Sequence, residues 1–116
     1  MNFPSDISSI LKEARIVSSE FGLRLKIIDI TANAASLRLY FDDDLFIQIY
    51  VNQPKSKLNL NLVFKGKRLC GADSEGSRYH IHPFTKPENH IFTEKKETIK
   101  SFTIKAIKIL DEKGLL

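Results

Sequence analysis

From Leu23 to Phe64 apolar and polar residues alternate one by one through four successive segments. Leu23, Leu25 and Ile27 alternate with Arg24 and Lys26, after which Ile28 and Ile30 take over the apolar phase. The pattern then runs through Leu37, Leu39 and Phe41 against Ser36, Arg38 and Tyr40. It continues with Leu45, Ile47, Ile49 and Val51 against Phe46, Gln48 and Tyr50, then with Leu58, Leu60, Leu62 and Phe64 against Asn59, Asn61 and Val63. Successive side chains of a strand point to opposite faces of its sheet. This alternation therefore predicts strands with one face in a core and the other in water, the habit of antiparallel sheets. The change of phase at Ile27–Ile28 predicts a bulge. The connections Asp42-Asp43-Asp44, Gln53-Pro54-Lys55-Ser56 and Lys65-Gly66 are short enough for hairpins, and the last opens a fifth strand over 67–72.

The flanks have helical periods. Ile7, Ile10, Leu11, Ala14, Val17 and Phe21 recur every three or four residues after the helix-start signal Pro4-Ser5-Asp6, and Gly22 follows. Ile99, Phe102, Ala106, Ile109 and Leu110 form a second stripe, with Thr93 as the expected cap and Gly114 as the stop. The expected class is α+β: a helix, an antiparallel meander of about five strands and a helix, with both helices on one face. One domain over 1–116 accounts for the length, since 116 residues supply a single core. An apolar fraction of 42% excludes a disordered chain. The apolar runs fall far short of the roughly 20 residues that span a bilayer, and the start lacks a signal-peptide pattern. A cytoplasmic protein without a membrane partner is expected. Cys70 is the single cysteine, which excludes an internal disulfide and a cysteine-built zinc site.

Facing apolar against apolar sets the register of the hairpins. Phe41 then pairs with Leu45, Val51 with Leu58 and Phe64 with Lys67. The outward positions fall into a row, Arg38, Gln48, Asn61 and Cys70, beside a second, Ser36, Tyr50 and Asn59. Asn, Gln, Arg and Tyr make directional hydrogen bonds or stack on bases, unlike the Lys, Glu and Thr of an ordinary wet face. Charge adds to this. Residues 1–53 carry five basic and seven acidic side chains, residues 54–116 thirteen and seven. A basic C-terminal half suits a polyanion such as RNA, or an acidic protein.

All three histidines lie between positions 80 and 90, in Arg78-Tyr79-His80-Ile81-His82-Pro83-Phe84 and the turn after it. Histidine exchanges protons near neutrality and is the commonest metal ligand, so this segment is where chemistry is expected. If it is extended, His80 and His82 share a face and Ile81 points to the core. The loop Lys86-Pro87-Glu88-Asn89 can then fold His90 back toward them.

An amphipathic first helix, antiparallel strands, a hairpin leading through Arg68 to Asp73, a His-x-His step at His80 and His82 and a closing helix resemble the TumE-type toxins of prokaryotic toxin–antitoxin pairs. The resemblance runs over residues 35–116. It implies a small growth-inhibiting toxin, directed at RNA and neutralised by a co-expressed antitoxin protein.

The residues themselves allow chemistry of that class. Metal-independent RNA cleavage needs a base for the 2′-hydroxyl proton, an acid for the leaving 5′-oxygen and a cation for the charge that builds on phosphorus. His80 and His82 are the expected acid–base pair and Arg78 the expected clamp. Arg38, Gln48, Tyr50, Asn61, Arg68, Tyr79 and His90 are the expected substrate contacts, with Tyr50 or Tyr79 stacking on a base. A metal site of the three histidines with Glu88 or Asp73 is a competing reading, but no His-Glu-x-x-His or Cys-x-x-Cys spacing accompanies it. No metal or cofactor is therefore expected. The alternative from a different class is a non-catalytic module that binds nucleic acid or protein on the polar sheet face.

Overall fold

The alternating segments become strands of one sheet in the computed structural model, which describes residues 6–116. The order is α1 (Ile7–Phe21), β1 (Arg24–Ile30), β2 (Ala34–Asp42), β3 (Leu45–Asn52), β4 (Lys57–Phe64), β5 (Lys67–Glu75), β6 (Arg78–His82), β7 (Ile91–Thr93) and α2 (Ile99–Glu112). The strands lie side by side in chain order, each antiparallel to the next. Among the described residues there are seven of them, not about five. The two extra strands are β6, which the sequence suggests only as an extended piece, and β7, whose three residues are too few to display a period.

Leu37, Leu39, Ile47, Ile49, Leu60 and Leu62 point to one face and are sealed in a core with Ile10 and Val17 of α1 and Ile99 and Leu110 of α2. Both helices cover that face. Each such side chain contributes about 1.5–3 kcal/mol by leaving water, which is what holds the helices down. Gly22 ends α1 in the left-handed region, at φ 68°, where a side chain would be strained. The cap of α2 is Thr98, not Thr93: Thr98 and Ser101 bond reciprocally, while Thr93 sits in β7 opposite Tyr79. Of the expected start of α1, Pro4 and Ser5 lie outside the described residues. No described helix is long and apolar enough to cross a membrane.

Most of the expected register is present. Arg38 faces Gln48, Ser36 faces Tyr50, Gln48 faces Asn61 and Tyr50 faces Asn59. The β1–β2 ladder shifts between Ile27 and Asp29, so Ile28 is the bulged residue. Two pairings need correction. Asp42, not Phe41, faces Leu45, because the ladder skips Phe41. Asn61 faces Gly71 rather than Cys70, because β5 bulges after Arg68 and the extra residue moves Cys70 to the core face, where it is 6% exposed.

Candidate active site

The turn Gly76-Ser77 carries the polar rows on to the histidines. Gly76 has φ 60° and Ser77 a negative φ, as in the tight hairpin turns that match strand twist. This turn sets Asp73 opposite His80 and Gly71 opposite His82. The first outward row is thereby Arg38, Gln48, Asn61, Gly71 and His82; the second is Ser36, Tyr50, Asn59, Asp73, His80 and Phe92.

After β6 the chain turns at Pro83–Lys86 and again at Lys86–Asn89, each held by a backbone hydrogen bond. Arg68 fastens this loop to the sheet, its Nη2 donating to the Pro87 carbonyl at 2.9 Å. His90 is thereby folded back, as expected, with ring centroids 4.2 Å from His82 and 4.8 Å from His80.

The three rings have different surroundings. His82 is 2% exposed; its Nδ1 lies 2.9 Å from the Pro87 oxygen and its Nε2 3.0 Å from Oδ2 of Asp73. His80 reaches the same carboxylate oxygen with its Nε2 at 3.3 Å and keeps a quarter of its side chain in solvent. His90 is exposed. Loss of hydration beside the other rings, together with the charges His82 and His80 can carry, makes His90 hold a proton less tightly than an ordinary histidine. His80, His90, Arg78, Glu75 and Phe92 line an open cleft of about 340 Å³. The Arg78 guanidinium sits 5.9 Å from the Phe92 ring centre.

The expected site residues divide into groups. His80, His82, His90 and Arg78 come together. Gln48, Tyr50 and Asn61 lie on the outward rows, and so does Arg38, whose Nε donates to Gln48 Oε1 at 2.8 Å while its guanidinium covers the Phe46 ring. At roughly 4.8 Å per strand step, Arg38 on β2 is about 19 Å from β6. Arg68 is occupied in holding the loop. Tyr79 pairs with Ser74 and Thr93 and so alternates to the helix side, away from His80. Cys70 is inert: burial pushes its thiol up to about 11. Two further residues belong to the site, Asp73, expected only as a ligand in the competing metal reading, and Phe92, which was not expected. Asp73 joins His80 to His82, and Phe92, 69% exposed, rims the cleft. Asp73 was accessible from sequence by reading Gly76-Ser77 as a two-residue hairpin turn; Phe92 carried no such signal.

Gly71 is the position where a side chain does not fit. A Cβ there would stand 2.4 Å from Asn61 Oδ1 and 3.0 Å from the Leu60 carbonyl oxygen. The Gly71→Ala protein is expected to lose about 1–3 kcal/mol of stability, as overpacked sites do. Urea unfolding measures it, and an unchanged midpoint would show that Asn61 moves aside freely.

Comparison with protein-family models, curated proteins and solved structures finds no match to this chain.

Proposed function

We propose that this chain binds single-stranded RNA across the open face of its sheet and cleaves it, without a metal, in the cleft beside His80. In this reading it is a cytoplasmic toxin of the kind it resembles, restrained by a partner antitoxin. One observation carries the cleavage: two imidazoles that solvent reaches, His80 and His90, share a cleft with Arg78 where both polar rows end. The exposed ring of Phe92 offers a stacking platform at that end, and Tyr50 a second along the same row.

His90 and His80, not His80 and His82, form the acid–base pair. Burial keeps His82 from a substrate and both its nitrogens are engaged, so it is a positioning residue for Asp73 and the loop. The 2′-hydroxyl oxygen attacks phosphorus while His90, which holds a proton less tightly than an ordinary histidine, takes its proton. As the bond from phosphorus to the 5′-oxygen breaks, His80 gives that oxygen a proton. The Asp73 carboxylate steadies the imidazolium of His80, and Arg78 balances charge on the non-bridging oxygens. The products are a 2′,3′-cyclic phosphate and a 5′-hydroxyl.

End-labelled RNA incubated with the protein in EDTA tests this. Fragments ending in a cyclic phosphate are expected, and induced expression should arrest growth. RNA that is bound but stays intact would reduce the protein to a binding module.

A further inference from the structure

We propose that His80, His82 and His90 form a binding site for a divalent transition-metal ion of the zinc class. This inference concerns the same cluster as the proposed cleavage and does not depend on it. One ring nitrogen from each of the three residues lies within 4.8 Å of the other two. A tetrahedral zinc ion with bonds of about 2.0–2.1 Å needs its nitrogens about 3.4 Å apart. His90 is on an exposed loop, so a closing movement of the order of 1 Å asks little of the sheet.

The surroundings favour a cation more specifically than the spacing does. His82 has Nδ1 against the Pro87 carbonyl, an acceptor that can only receive a proton. Nε2 faces Oδ2 of Asp73 at 3.0 Å, and with its proton given up it offers a lone pair to an ion while Nδ1 keeps its own hydrogen bond. His80 aims its Nε2 at that same oxygen. The Asp73 carboxylate places a negative charge beside both nitrogens, which favours a cation there. A backbone carbonyl on the second nitrogen is also how metal-bound histidines are commonly fixed in one tautomer. Oδ1 of Asp73 is likewise buried without a hydrogen-bond partner among the described residues. Such groups call for a water or an ion nearby. Three imidazoles with one adjacent carboxylate suit zinc and its neighbours, not the oxygen-seeking calcium or magnesium.

A bound ion would occupy lone pairs that His80 and His90 need for proton transfer. Zinc is accordingly expected to inhibit cleavage at this site.

The test is calorimetric titration of zinc sulfate into the chelator-stripped full chain. One equivalent is expected to bind with a dissociation constant in the micromolar range or tighter. His80→Ala and His90→Ala, both at solvent-reached positions, should each weaken binding by about 100-fold or more. His82→Ala should do the same where it folds. No binding by the native chain, or equal binding by the native and His90→Ala proteins, would overturn the site. RNA cleavage measured alongside separates the two proposals. Zinc bound and cleavage suppressed supports both. Zinc bound with no cleavage in either state leaves the metal site standing and removes the nuclease. Cleavage only by the zinc-loaded protein keeps the site and replaces the metal-free route.

Discussion

Replacing His80 by alanine is expected to slow RNA cleavage by roughly 100-fold or more, the usual cost of losing a general acid. The fold should survive, because His80 keeps a quarter of its side chain in water and its neighbours on β6 are held from both sides by β5 and β7. His90→Ala should bring a loss of similar size, while the double variant should lose much less than the product of the two, since acid and base act as a unit. Single-turnover rates on one RNA, with circular dichroism on each variant, provide the measurement. Full activity in both single variants would remove the cleft from consideration. His82→Ala has a different expected signature, lower stability together with lower activity, because it holds Asp73 and the Pro87 loop instead of the substrate.

Asp73→Ala is expected to be the most damaging single change outside the apolar core. One carboxylate oxygen serves both His80 and His82, and His82 is almost fully buried. Without the carboxylate, Nε2 of His82 loses its partner and has little access to water. A buried polar group left in that state costs about 1–3 kcal/mol. The melting temperature should fall by several degrees, in line with the size of the domain. Cleavage should fall as well, since His80 loses the group that steadies its imidazolium. Scanning calorimetry on Asp73→Ala and Asp73→Asn separates two contributions, because asparagine keeps the shape and removes the charge. A native melting temperature in both variants would mean that the buried ring is held by the Pro87 carbonyl alone.

Much of this molecule was legible before any coordinates. Period-two alternation specified which side chains of β2, β3 and β4 face the core, because a slip of one residue would expose every leucine and isoleucine together. Both helices were legible for the same reason at a period of three to four, and Gly22 marked the end of α1. The histidine cluster was visible as composition, and the Lys86–Asn89 loop indicated that His90 could return to it.

Three features came only from tertiary structure. The bulge after Arg68 has no signature of its own, since a run such as Leu69-Cys70-Gly71-Ala72 is too uniformly small or apolar to mark which residue is extra. Yet that bulge turns Cys70 inward and leaves Gly71 beneath Asn61. The division of labour among the histidines was likewise illegible. His80 and His82 alternate alike along β6, but the Pro87 loop covers one and leaves the other open. Strand β7 depends on the same loop, because three residues pair only after the chain has been returned beside β6. Local sequence determines which way a side chain points from its strand; what stands over it, and so whether it meets water, a carboxylate or a substrate, depends on segments distant in sequence.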